Sequence, residues 1–124
     1  MKKIFLLIFL ILIDQLTKFL FPGITNTGAA FGILKGQNIL LIIISLIVII
    51  SAVFYYKYHK DLRISLILIL SGTIGNLIDR LFFGYVRDFI DLKYWPVFNL
   101  ADSYNTIGAI LLIYLVYFKK QDKK

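Results

Sequence analysis

Seven aspartates, one histidine, no glutamate and no cysteine limit the chemistry open to this 124-residue chain. Two of the aspartates, Asp88 and Asp102, bracket a short stretch that runs through Asn99-Leu100-Ala101-Asp102-Ser103. That stretch lies between two segments apolar enough for a bilayer. Carboxylates at a membrane edge are costly and are seldom placed there without a use. Two carboxylates about 3 Å apart cannot both ionise, so they share one proton. One can then activate a water while the other, protonated, polarises a carbonyl.

Elimination supports acid–base work by aspartate. Without cysteine there is no thiolate nucleophile, disulfide or thiolate metal site. His59 sits in a basic loop with Lys57, Lys60 and Arg63, with Asp61 its one acidic neighbour. It reads as a solvated loop histidine. Ser–His–Asp and Cys–His mechanisms and a His-rich zinc site drop out. A Ser–Lys pair would need Ser103 beside Lys18 or Lys93. Both lysines read as interfacial and charged, hence poor bases unless desolvated. A Mg²⁺ or Ca²⁺ site would use several aspartates, but no stretch resembles a metal-binding loop.

The residues do not decide which aspartates pair. Two N-x-x-D boxes recur, Asn76 to Asp79 and Asn99 to Asp102, and at i, i+3 each Asn could orient its own Asp. The same boxes could be helix caps and nothing more. Asp79 precedes Arg80 and reads as a structural ion pair with it. Asp14 has Lys18 four residues on, and Asp91 has Lys93. Asp88 and Asp102 are left over, although Arg87 adjoins Asp88.

The elements that must position these groups are apolar. The chain is 60% hydrophobic, with a mean hydropathy of +0.84, well beyond a soluble domain. One domain is expected. Four membrane-spanning helices are predicted, over about Ile4–Leu20, Asn38–Tyr56, Ile64–Arg80 and Asp102–Phe118, giving an all-α membrane protein. The first follows Lys2 and Lys3 as a signal peptide would. Asp14 interrupts it and no small-residue cleavage site follows, so a retained span is expected. Asp102 or Ser103 is expected to cap the fourth. Between the first two spans, Phe21 to Gly36 forms a polar loop with Pro22 and Gly23 as breakers and Asn26-Thr27-Gly28-Ala29-Ala30-Phe31-Gly32 inside it. In the third span Gly72, Asn76 and Asp79 share a face, and Gly72 and Gly75 permit close helix packing. Tyr94 and Trp95 read as an interfacial anchor.

The net charge of +7 is local, which points away from nucleic acid. Nine Lys/Arg fall at the N-terminus, the middle loop and the C-terminus, and five on the other side. Both termini are therefore expected in the cytoplasm. Asp14, Asp79, Asp88, Asp91 and Asp102 then all lie toward the outer end, where topology does not require them. An outward-facing site in a small extracytoplasmic loop region is expected.

Five motifs occur in order: Asp14-Gln15-Leu16-Thr17-Lys18, Asn26-Thr27-Gly28-Ala29-Ala30-Phe31-Gly32, Gly75-Asn76-Leu77-Ile78-Asp79-Arg80, Gly84-Tyr85-Val86-Arg87-Asp88-Phe89 and Phe98-Asn99-Leu100-Ala101-Asp102-Ser103. Together they resemble the lipoprotein signal peptidase (signal peptidase II) family of bacterial aspartyl endopeptidases, over nearly the whole chain. The resemblance implies that Asp88 and Asp102 are the catalytic pair, with Asp14, Asn26, Gly28, Asn76, Asp79, Arg80, Asn99 and Ala101 in support. It implies a prolipoprotein substrate whose Cys carries diacylglycerol, cut on the N-terminal side of that Cys, with no metal or other cofactor. It also implies a multi-pass protein of the bacterial inner membrane with its site toward the extracytoplasmic face. Membrane lipid is its surroundings, and a monomer is expected. The stretch from Lys18 to Asn26 is short where the family usually carries a β-rich cradle. The link between Asp88 and Asp102, a lid in the family, is short too. A minimal enzyme, or one with altered substrate preference, would follow. Two other classes fit the same residues less well: a non-catalytic lipoprotein-binding scaffold and a small transport bundle. Transport calls for polar groups through the midplane, and the second and fourth segments have almost none.

Overall fold

The computed structural model describes residues 2–118, so the basic tail expected to help set the topology lies outside the described residues. The elements in order are α1 (Lys2–Leu20), β1 (Ile24–Asn26), α2 (Asn38–Tyr58), α3 (Arg63–Phe83), β2 (Val86–Asp88) and α4 (Leu100–Tyr117), with 3-10 turns at Ala30–Gly32 and Lys60–Leu62. The four apolar runs all fold as helices. The all-α expectation needs one correction. β1 and β2 pair antiparallel across the ends of the helices, with Ile24 opposite Asp88 and Asn26 opposite Val86. Strands of three residues are too short to carry a readable period-2 pattern.

Three helical stretches, Asn38–Tyr58, Lys60–Phe83 and Leu100–Tyr117, are long and apolar enough to cross a membrane. α1 has the length, but it carries Lys2, Lys3, Asp14 and Lys18. α2 is apolar on every face, and Ile39 and Ile50 are about 70% exposed (74% and 69%). A helix of that composition with its side chains turned outward suits hydrocarbon rather than water.

α3 is the axis on which α1, α2 and α4 all pack. Leu62, Leu66 and Leu70 join Ala52 of α2 in the buried core. Toward α4 the contact is made by missing side chains. A Cβ on Gly108 would meet Ser65 O at 2.9 Å, and one on Gly72 would run into Ala101 O. Small residues let the two backbones approach this closely, which lipid-exposed helices use in place of a hydrophobic driving force.

Two helix ends differ from expectation. α3 continues past Arg80 to Phe83, because Leu81-Phe82-Phe83 holds no breaker. It stops at Gly84, whose φ of 78° closes the helix and whose N–H donates to Arg80 O. α4 begins at Leu100 with Asn99, not Asp102 or Ser103, as its cap. Asn99 Oδ1 accepts from the Asp102 N–H at 2.9 Å, and Asp102 Oδ2 accepts from the Asn99 N–H at 3.0 Å. This reciprocal box places Asp102 in the first turn, with its carboxylate beside the positive helix end.

Candidate active site

Asp88 ends β2 and is 1% exposed. Each of its oxygens accepts one amide: Asn26 Nδ2 donates to Oδ2 at 2.9 Å, and Asn99 Nδ2 donates to Oδ1 at 2.8 Å. Asp102 is half-buried. Asn76 Nδ2 donates to its Oδ1 at 2.9 Å, and the Asn99 N–H serves its Oδ2. Asn99, itself wholly buried, therefore holds both carboxylates, one through its side chain and one through its backbone. Both aspartates line a single open cavity of about 1140 Å³, together with Asn26, Gly28, Asn76 and Arg80. Burial pushes the Asp88 carboxyl up to about 6; the Asn26 amide opposes this, and the nearby Asp102 charge adds to it.

A charged cluster sits behind this pair. Asp14 and Lys18 form the expected ion pair, at 2.7 Å, but not at an interface: both side chains are fully buried. Asp14 Oδ1 accepts from the Ala101 N–H at 2.9 Å, so α1 caps the first turn of α4. Lys18 Nζ also donates to Gly75 O and to Asn76 Oδ1, at 3.3 and 3.1 Å. Gly75 is required here, since a Cβ would lie 2.5 Å from the Asp14 carboxylate.

Asp79 is tied down, but by Arg87 and not by its neighbour Arg80. Arg87 Nη2 donates to Asp79 Oδ1 at 2.9 Å, and Arg87 Nε and N–H both donate to Oδ2. Successive residues on a helix point about 100° apart, so Arg80 cannot face the partner of Asp79. Arg80 instead lines the cavity, and its Nη2 donates to Gly28 O at 3.3 Å. Of the two N-x-x-D boxes, the second follows the i, i+3 reading, with Asn99 and Asp102 bonded to each other, and the first does not. Asn76 serves Asp102 of the other box rather than Asp79 of its own.

The Ser–Lys alternative finds no geometry. Ser103 Oγ donates to Asn99 O at 3.4 Å, Lys18 is held by Asp14 and Asn76, and Lys93 pairs with Asp91 at 2.9 Å. Among the described residues no cluster of three or more His, Cys or Asp side chains has a metal-binding arrangement. Trp95, read as a membrane anchor, lines the cavity and meets the Phe31 ring edge-on at 5.3 Å.

Sequence reasoning missed Gln15, Arg87 and Gly23. Gln15 Nε2 donates to Gly75 O at 3.0 Å, and its Oε1 accepts from Arg87 Nη2 at 2.9 Å, which links α1 to β2. Gly23 was visible only as a breaker. A Cβ there would run into the Asp88 carbonyl, so its lack of a side chain lets the chain before β1 lie against β2. Gly23→Ala should push Asp88 out of line and lower the kcat/KM of any reaction that uses this carboxyl by about a hundredfold, the scale of an ångström-sized misplacement. Helical content by circular dichroism should be unchanged. A Gly23→Ala variant as fast as wild type would refute this contact.

A model of the signal peptidase (SPase) II family matches residues 6–118. The lipoprotein signal peptidase of Halothermothrix orenii is 50% identical over 103 residues, covering 81% of this chain and 70% of the relative. That of Streptococcus pyogenes serotype M5 is 40% identical over an alignment of 148 residues, covering 98% of this chain and 97% of the relative. The alignment is longer than this chain, so that relative carries residues absent here. Two solved bacterial membrane enzymes have the same fold. One has a TM-score of 0.88 at 31% identity, covering 99% of this chain and 92% of its own. The other has a TM-score of 0.80 at 30% identity, covering 94% of this chain and 93% of its own. The helices, the buried aspartates and the span of these matches agree: the chain belongs to the signal peptidase II family of aspartic peptidases.

Proposed function

We propose that this chain removes the signal peptide from diacylglyceryl-modified prolipoproteins, cutting on the N-terminal side of the lipidated Cys with Asp88 and Asp102 as the catalytic pair. The observation that carries the reading is Asn99, which holds both carboxylates at the wall of one cavity. Asp88 is the more buried of the two, and burial pushes its carboxyl up to about 6, so it is assigned as the acid that polarises the scissile carbonyl. Asp102 is the base. It takes a proton from water as the hydroxide adds to the carbonyl carbon. The tetrahedral intermediate collapses as Asp102 passes that proton to the leaving nitrogen and Asp88 recovers the proton it lent to the carbonyl oxygen. The C–N bond breaks to give a free carboxylate on the signal peptide and an amine on the Cys, and the thioether lipid stays on the product. Asn26, Asn76 and Asn99 orient the two carboxylates, while Asp14, Asp79, Gly28, Arg80 and Ala101 hold the frame around them. No cofactor is needed.

The proposed setting is a single four-span domain in the bacterial inner membrane, working as a monomer with both termini cytoplasmic and the cavity toward the extracytoplasmic side. The charges of α1 support its role as the fourth span. Asp14 and Lys18 neutralise each other inside the protein rather than facing lipid.

The direct test uses purified protein in detergent and two forms of one precursor. The diacylglyceryl-modified form should yield free signal peptide, and the form with an unmodified Cys should stay whole. Equal cutting of both forms, or of neither, would overturn the reading. The pH profile tests the assignment of acid and base. With Asp88 as acid, kcat/KM should fall as pH rises through about 6, where the free enzyme loses that proton. A rate that climbs through pH 6 to a plateau would make Asp88 the base. The same raised value has a stability sign. The folded state holds the proton longer than the unfolded chain, so this group's contribution to stability falls as pH rises from about 4 to about 6.

A further inference from the structure

One cavity residue is not absorbed by the acid–base pair. Asn105 lies on α4 three residues beyond Asp102, on the same helical face and about 4.5 Å further along the axis. It lines the same cavity, with Thr106 and Ile107 beside it. Its carboxamide is built into the helix pair. Thr73 Oγ1 on α3 donates to Asn105 Oδ1 at 3.2 Å. Gly72 leaves the room, since a Cβ there would lie 2.6 Å from both the Cγ and the Oδ1 of Asn105. With the oxygen turned to Thr73, the Nδ2 is turned the other way. The Nδ2 donates to no group among the described residues, and no buried side-chain nitrogen there lacks a partner, so this NH₂ is accessible on a residue that lines the cavity.

Resting on the peptidase reading above, we infer that Asn105 Nδ2 is a substrate-binding donor that takes one carbonyl oxygen of the bound prolipoprotein. Its spacing from Asp102 suits the task. An extended peptide advances about 3.3 Å per residue, so a chain with its scissile carbonyl at the pair brings another backbone carbonyl to Asn105 within one or two residues. The ester carbonyls of the diacylglyceryl group offer the same acceptor chemistry. A donor held at a fixed position by Thr73 selects for substrate geometry as well as affinity.

The test compares wild type, Asn105→Leu, Asn105→Asp and Thr73→Val on two lipopeptides. One carries ester-linked diacylglycerol, and the other carries dialkyl ether chains with no lipid carbonyl. Asn105→Leu keeps the side-chain shape and removes the donor. Asn105→Asp keeps the acceptor for Thr73 and replaces the donor with oxygen. Both should lose about tenfold in kcat/KM, the worth of one neutral hydrogen bond, with unchanged thermal melting. Thr73→Val frees the amide to rotate and should lose about threefold. A loss seen on both lipopeptides assigns the acceptor to the peptide backbone, and a loss confined to the ester form assigns it to the lipid. Wild-type rates for both Asn105 variants on both lipopeptides would overturn the inference. Wild type that cuts neither lipopeptide would fail the peptidase reading and this inference with it, whereas normal cutting by Asp102→Asn, run alongside, would only remove Asp102 from the catalytic pair.

Discussion

Asp88→Asn and Asp102→Asn should each lower prolipoprotein cleavage by roughly ten-thousandfold, the upper end of what positioned acid–base catalysis supplies. Asn has the same shape, and the neighbouring amides can rotate to meet it, so the fold should survive. The two losses should not add. On the mechanism proposed above, either change disables a step that needs both groups, and residues acting as a unit are strongly non-additive. The double variant should therefore be about as slow as either single one. Mass spectrometry of the released signal peptide, with melting curves on the same samples, measures both effects. Cleavage within tenfold of wild type by either single variant would remove that aspartate from the pair.

The second large effect falls on folding. Asp14→Ala should sharply reduce the yield of folded protein. It leaves the buried Lys18 ammonium with only the more distant Asp79 carboxylate, at 3.7 Å, in place of one at 2.7 Å, and it orphans the Ala101 N–H. Breaking a buried pair from one side costs about 3–5 kcal/mol, and loss of a cap about 1 kcal/mol more. That total is comparable to the whole stability of a small domain. Asp14→Leu combined with Lys18→Met removes both charges and should recover much of the yield. It should not recover full activity, because Lys18 Nζ also donates to Asn76 Oδ1 and helps keep the Asn76 NH₂ on Asp102. Size-exclusion profiles in detergent report the yield, and the lipopeptide assay reports the activity. An Asp14→Ala protein with wild-type yield would show that the buried pair is not needed for assembly.

The helices were legible because long apolar runs broken by charge or glycine carry a strong one-dimensional signal. The Asp14–Lys18 pairing was legible for the same reason, being local at i, i+4. Its burial was not, because burial depends on Gly75 in another helix. The partner of Asp79 was misread from adjacency as Arg80. The true partner, Arg87, comes from beyond a helix end that itself lay three residues later than expected. The cross-pairing of Asn76 with Asp102 spans 26 residues, and that of Asn26 with Asp88 spans 62. No periodicity encodes such contacts. The motifs marked which asparagines mattered, but the geometry decided which carboxylate each one holds.

The wiring of α4's first turn bears on when the proposed pair can form. The Ala101 amide is met by a carboxylate 87 residues earlier, and Asp88 is met by an amide from the end of β1. On the catalytic reading proposed above, the pair needs both ends of the chain brought together on α3, so its competence is a property of the finished fold and of no single segment.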